Sequence, residues 1–289
     1  MQISVLSPAK INLHLKVFEK STDGYHRVET SMVKTTLNDS INLTMKDGEG
    51  IFISVDEPFA SLSTPENLAY RATDLFLKVT GLKKSVSIHI AKRIPLGAGL
   101  GGGSSNAGTV LKALNRALGH PLKLDELMLL GKQLGADVPF FVQPDDFALL
   151  KGRGDELVES FGFPSLLVLI VYPNIHASTP KVYQSLGRSL TWEGSGGISG
   201  HCKRQITEWN DVNYLLELGN DLQEVTESMH PVIRQIRQEL KQHGASFSQM
   251  SGSGASVFGL FDSDAEALSA VAHFQSYQCF LVRTGTHVE

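Results

Sequence analysis

The stretch PLGAGLGGGSSNAG, Pro95 to Gly108, carries six glycines in fourteen residues and constrains the chain more than any other. A segment so often without Cβ atoms turns sharply or lets another group approach its backbone. Its flanks decide which. Upstream, SVSIHIAKRI alternates, with Val86, Ile88 and Ile90 on one side, and reads as a half-buried strand. Downstream, SSNAGTVLKALNRALG reads as a helix. Ser104 or Ser105 caps it, Val110, Leu111, Leu114 and Leu118 form its core face, and Gly119 ends it. Strand, glycine loop and helix N-terminus in that order make an anion site. Loop N–H groups converge without Cβ obstruction, and the helix start adds unpaired donors and a positive dipole end.

Two familiar phosphate loops fit poorly. Gly97-Ala98-Gly99-Leu100-Gly101-Gly102 satisfies G-x-G-x-x-G, yet the strand before it alternates where a central parallel strand is apolar throughout. Pro95 separates strand from loop, and Asp125 and Glu126 open the next helix instead of closing a strand. No lysine follows a G-x-x-x-x-G spacing, so the Walker A loop fails. What remains is a long glycine arc that enters a helix through two serines.

The rest of the chain has the punctuation of a two-domain α/β protein. A length of 289 residues suggests two domains, and KGRGDE near Gly152–Glu156 places them at 1–155 and 156–289. INLHLKVF and DSINLTM alternate as strands, with a turn at Thr22-Asp23-Gly24. Thr64 as N-cap, Pro65 as first residue and Gly81 past the end predict a helix over Pro65–Val79. LDELMLLGKQLG predicts another, capped by Asp125 and closed by Gly135. SLLVLIVYP is an apolar strand, Gly187–Gly200 a Ser/Gly-rich loop, and Leu222–His243 a helical stretch divided or kinked at Pro231. The C-terminal SFSQMSGSGASVFGLFDSDAEALSAVAHFQ reads strand, glycine turn, strand, helix.

A net charge of −4, spread along the chain, argues against a nucleic-acid partner. Neither a signal peptide nor an apolar run near 20 residues is visible, so no membrane span is expected. Cys202 and Cys279 lie far apart and read as reduced thiols of a cytoplasmic protein.

Three motifs in order carry a family resemblance. PLGAGLGGGSSNAG resembles the ATP-phosphate motif of the GHMP kinase superfamily, SPAKINLHLKV its first motif, and MSGSGASVFGLF its third. Within the superfamily, DGYH and GADVPFF resemble the 4-diphosphocytidyl-2-C-methyl-D-erythritol kinases of the non-mevalonate isoprenoid pathway, over roughly residues 5 to 285. The resemblance implies an α+β fold in α/β layers. Its N-terminal sheet-and-helix domain would be ribosomal protein S5 domain 2-like, its C-terminal domain ferredoxin-like, with the acceptor in the cleft between them. It also implies transfer of the γ-phosphate of ATP to the 2-hydroxyl of the cytidyl acceptor, a small-molecule partner. A monomer or weak homodimer is expected.

The same resemblance assigns roles to residues. Asp137, which by itself reads as a turn aspartate before Pro139, becomes the catalytic base. Lys10 becomes its electrostatic partner, and the apolar neighbours Ala9 and Ile11 already hint at an inward position. Asn12 shares Lys10's side of the strand. Tyr25 stacks on the cytosine, His26 hydrogen-bonds it and Tyr183 covers its other face, with Thr179, Ser253 and Gly254 nearby. Pro95, Gly97, Gly99, Leu100, Gly101, Gly102, Gly103, Ser104 and Ser105 hold the ATP phosphates, and Asn67 and Lys92 line the adenine side. Mg²⁺ is expected to arrive with ATP. A serine of the Ser104-Ser105 pair is the proposed protein contact to it, and no partner glutamate is identified. Gly108 stands where the family usually has alanine, which predicts slight local loosening at a cost of about 1 kcal/mol. Two alternatives stay open: a GHMP kinase for another small alcohol (homoserine, mevalonate or a sugar), and a nucleotide sensor that keeps only the cradle.

Overall fold

The computed structural model describes residues 1–22, 24–186 and 209–285, with backbone alone for 209–211. Asp23, the Ser/Gly-rich 187–200 stretch and Cys202 lie outside the described residues. The chain forms two compact units. The first holds Met1–Ala9, Leu37–Leu96 and Gly101–Pro144; the second holds Lys10–Thr36, Gly97–Leu100 and Asp145–Glu289.

Two long strands contribute to each unit: β1 (Gln2–Lys20) and β2 (His26–Asp47), which pair with each other. In the first unit, β3 (Ile51–Val55), β4 (Lys84–Ala91) and the C-terminal half of β2 lie in the order β3-β4-β2. β4 is parallel to β3 and antiparallel to β2, with Ser40 opposite Ala91 and Asp47 opposite Lys84. The alternation that predicted β4 is realised: Val86, Ile88 and Ile90 are buried in one core with Ile41, Leu43 and Met45. Four helices share this unit: α1 (Leu68–Thr80), α2 (Gly102–Ala117), α3 (Leu124–Leu134) and α4 (Val138–Val142). Phe76 of α1 and Val110, Leu111 and Leu114 of α2 enter the same core. Each such side chain contributes roughly 1.5–3 kcal/mol by leaving water.

The caps differ from those predicted. α1 begins at Leu68, and Asn67, not Thr64, caps it: its Oδ1 accepts from Ala69 N at 2.9 Å. Pro65 lies in the turn ahead, while Gly81 closes the helix in left-handed conformation as expected. α2 begins at Gly102, before both serines, and Gly101 takes the cap position with no side-chain bond. For α3 the cap position is Lys123, whose N–H donates to Glu126 Oε2 at 2.7 Å, and Asp125 lies inside the first turn.

In the second unit, Thr30–Val33 of β2 pair antiparallel with β5 (Phe147–Lys151), and β5 with β6 (Glu156–Phe161). Residues 152–155 make the turn between these two strands. A separate four-stranded antiparallel sheet has the order β10-β7-β9-β8. Its strands are β7 (Leu167–Tyr172), β8 (Phe247–Met250), β9 (Val257–Phe261) and β10 (Gln278–Arg283). Between β7 and β8 run α5 (Thr179–Gln184), α6 (Trp209–Leu218), α7 (Gln223–Met229) and α8 (Pro231–Gln242); α9 (Asp264–His273) joins β9 to β10. This β-α-β-β-α-β order is ferredoxin-like. Pro231 starts α8 and divides the predicted helical stretch. Among the described residues, no helix is long and apolar enough to cross a membrane.

Candidate active site

In the second unit, the middle of β1 supplies the inward cation. Lys10 is 3% exposed, and its ammonium donates to Asn12 Oδ1 two residues on, as the shared strand side predicts. Lys10 N–H also donates to Leu100 O at 3.0 Å, which ties the strand to the glycine loop. The Ser251–Gly254 turn grips the same loop. Ser251 Oγ accepts from Asn12 N at 3.3 Å and donates to Gly99 O at 3.0 Å, and Ser256 N–H donates to Ala98 O at 3.1 Å. Backbone bonds and the Ser251 hydroxyl thus join the first motif, Gly97–Leu100 and the third motif. Gly99 is indispensable to this junction. Its φ is +77°, and a Cβ there would lie 2.2 Å from Ser251 O. Asn220, which sequence reasoning missed, supports the turn from below, donating to Met250 O at 2.9 Å and to Gly252 O at 2.8 Å.

The acceptor candidates gather at the edge of this unit. The His26 and Tyr183 rings lie 5.7 Å apart at a 30° tilt, and His26 Nδ1 bonds to Phe18 O at 2.8 Å. Thr179 and Ser253 share a hydroxyl hydrogen bond of 2.7 Å. Tyr25 is exposed, with the Arg153 guanidinium 5.1 Å from its ring centre, a cation–π arrangement. A cavity of about 600 Å³ is lined by Phe18, Tyr25, His26, Glu29, Lys151 and Arg153 among others. Arg153, Lys151 and Glu29 had no sequence signal beyond being charged. His176, also missed, sits against Gly97, where a Cβ would lie 2.3 Å from its Nδ1.

Behind Lys10 and Asn12 runs a buried polar chain. Asn12 Nδ2 donates to Thr30 Oγ1 at 2.8 Å, and Thr30 Oγ1 donates to His14 O at 2.7 Å. His14 Nδ1 accepts from Ser31 N at 3.1 Å, which places the ring hydrogen on Nε2, 3.8 Å from Glu29 Oε1. Burial, reinforced by the Lys16 charge, pushes the His14 pKa down to about 3. The ring therefore stays neutral.

In the first unit, the start of α2 rests on a charged cluster. Asp39 is fully buried. Its Oδ1 accepts from Arg93 N at 2.8 Å and Ile94 N at 2.9 Å, fixing the turn that enters Pro95. Its Oδ2 accepts from Asn106 Nδ2 at 2.9 Å and from the Lys92 ammonium. Lys92 also lies 3.4 Å from Asn106 Oδ1, so its charge meets Asp39 inside the protein. Asn106 Nδ2 further donates to Ser7 Oγ at 2.9 Å, and Ser7 bonds to Ser105 Oγ at 2.8 Å. Ser105 is thereby turned inward. Ser104 is half-buried in the first turn of α2, and a Cβ on Gly135 would lie 4.0 Å from its Oγ. Asn67 has its polar atoms engaged as the α1 cap and in a 3.0 Å bond to Leu62 O.

Asp137 stands half-buried at the N-cap position of α4, yet its side chain makes no capping bond. The turn-aspartate reading would have used the carboxylate there. A Cβ on Gly108 would lie 2.8 Å from Phe141 Cβ and 3.2 Å from Val138 O, so the glycine admits α4 against α2.

Known proteins resemble this chain over nearly its whole length. Residues 67–144 match the GHMP kinases N terminal domain and residues 199–277 the GHMP kinases C terminal domain. A 4-diphosphocytidyl-2-C-methyl-D-erythritol kinase of Geobacter sp. (strain M21) is 41% identical, covering 95% of each chain. One of Citrifermentans bemidjiense is 42% identical over 94% of each. The crystal structure of a 4-(cytidine 5'-diphospho)-2C-methyl-D-erythritol kinase superposes with a TM-score of 0.79 at 29% identity, covering 98% of this chain and 99% of the other. A homoserine kinase from Cytophaga hutchinsonii shares the fold, with a TM-score of 0.73 at 18% identity over 98% and 94% of the two chains. The chain belongs to the 4-diphosphocytidyl-2-C-methyl-D-erythritol kinase family of the GHMP kinases.

Proposed function

We propose that the protein transfers the γ-phosphate of ATP to the 2-hydroxyl of 4-diphosphocytidyl-2-C-methyl-D-erythritol, giving the 2-phosphate and ADP for isoprenoid precursor synthesis in the cytoplasm. The observation that carries this acceptor is the approach of the His26 and Tyr183 rings to 5.7 Å. An aromatic pair with a hydrogen-bonding edge suits a nucleobase, and a small alcohol such as homoserine has no use for one.

Each residue then has a task. The N–H groups of Gly97–Gly103 and the α2 N-terminus hold the ATP phosphates. Asp137 accepts the proton of the 2-hydroxyl. The freed oxygen bonds to the γ-phosphorus as its bond to the β-phosphate oxygen breaks, and ADP departs. Lys10 is the electrostatic partner of that base, as the family resemblance implies. Tyr25, His26 and Tyr183 hold the cytosine, with Thr179, Ser253 and Gly254 beside them. Mg²⁺, when bound, screens the phosphate charge. Ser104 is the hydroxyl that fits it, since Ser105 is committed to Ser7.

The test is ADP release from ATP-Mg²⁺ with a panel of acceptors: the diphosphocytidyl compound, homoserine, mevalonate and a sugar. ADP is expected only with the first, and turnover of another acceptor alone would overturn the assignment. Asp137→Asn should lower turnover by about 10³-fold or more while ATP affinity stays within a few-fold.

A further inference from the structure

We infer that Thr30 is a positioning residue that fixes which way the Asn12 amide faces, and through it the Lys10 ammonium. One atom of this chain of bonds cannot change role. His14 O is a backbone carbonyl and only accepts, so the Thr30 hydroxyl hydrogen, 2.7 Å away, must point to it. Thr30 Oγ1 then has only lone pairs left for Asn12, at 2.8 Å. The Asn12 atom that faces it must therefore be the NH₂ donor. That leaves Oδ1 as the atom turned to Lys10, whose ammonium can only donate. The order of donors runs one way from strand backbone to reactive cation. All four residues are 3% exposed or less, so water is not at hand to replace a missing link.

Without the Thr30 hydroxyl, the buried Asn12 NH₂ loses its acceptor and only Lys10 still tells the two ends of the amide apart. A rotation that finds the NH₂ another partner would turn Oδ1 away from the NH₃⁺ and release Lys10 from its position. This role rests on the reading of Lys10 as part of the reacting site. It adds a residue from β2 that neither the motifs nor the family's glycine loop point to.

The experiment compares Thr30→Val, which keeps the branched shape, with Thr30→Ser, which keeps the hydroxyl, in steady-state kinetics with ATP-Mg²⁺ and the diphosphocytidyl acceptor. Thr30→Val should lower kcat about tenfold, the cost of one unsatisfied buried donor, with both KM values within about threefold. Thr30→Ser should recover kcat to within about threefold of the parent. In an Asn12→Asp background both side-chain oxygens accept, orientation no longer matters, and adding Thr30→Val should cost less than about twofold. A Thr30→Val enzyme with parental kcat, a serine variant as impaired as the valine, or full additivity with Asn12→Asp would each overturn the inference. Should the valine variant not fold, Thr30→Ala is held to the same outcomes. Lys10→Ala in the same assay separates the two levels: full turnover there overturns the reading of Lys10 itself, whereas its loss beside an unaffected Thr30→Val overturns only the role of Thr30.

Discussion

The glycine stretch is one run in the sequence but is held in two different ways. Its first part, Gly97–Leu100, is held at its own backbone carbonyls: Lys10 N–H donates to Leu100 O, Ser256 N–H to Ala98 O, and the Ser251 hydroxyl to Gly99 O. Its second part, from Gly101 onward, is fastened by side chains through Asp39, Lys92, Asn106, Ser7 and Ser105. A clamp on backbone carbonyls admits no Cβ at Gly99, where the carbonyl of Ser251 already fills the space. A charged cluster tolerates shape changes but no lost partner. The two halves of one loop should therefore fail under opposite kinds of substitution.

The largest effect is expected at Gly99. Gly99→Ala adds a Cβ 2.2 Å from Ser251 O at φ +77°, and left-handed strain plus overpacking should cost about 3–5 kcal/mol and most of the turnover. Denaturant unfolding with activity at a permissive temperature measures it; a stable, active variant would erase the contrast. Asp39→Ala strands Lys92 and Asn106 in a buried site and should cost about 3 kcal/mol in the same measurement.

Acid should act on the second unit through His14. Its folded pKa of about 3 lies below the ordinary 6.5, so the unfolded chain binds the extra proton. The contribution is full above pH 6.5 and is lost as pH falls toward 3. Between pH 6.5 and 5 the parent should lose about 1.5 kcal/mol more than His14→Asn. Equal pH slopes for the two proteins would mean that His14 is not held neutral.

The smallest stability effect is expected at Gly103→Ala. Its Cβ has 3.6 Å to Leu68 and sits in the first turn of α2, so stability should rise by about 0.5–1 kcal/mol. A raised KM for ATP beside that gain would locate the phosphates over Gly103; an unchanged KM would move them away from it.

Much of this was legible in periodicity. The alternation of DSINLTM and SVSIHIA yielded the β2–β4 core, and the polar members of β1, Lys10 and Asn12, fell on one side as period two demands. Asp39 carried a readable signal that went unused. It stands in the inward series Leu37, Asp39, Ile41, Leu43, and an aspartate in such a series implies buried partners. Other features were not legible because their causes lie far along the chain. Ser7 is 98 residues from Ser105, which decides between two adjacent serines that look alike in sequence. Lys92 is 53 residues from Asp39, and a lysine after a strand gives no sign that its charge is already matched. Thr30 finds its partners 16 and 18 residues away, across the paired strands β1 and β2, whose register no local pattern fixes.

Gly108 has a consequence for anyone wishing to make this enzyme hardier. Replacing a mid-helix glycine by alanine is a routine stabilising edit, worth about 1 kcal/mol of helix propensity. Here the added methyl would press on Val138 and Phe141, the helix that begins directly after Asp137. The clash offsets the propensity gain, so at this position the usual edit is expected to lower thermal tolerance instead of raising it.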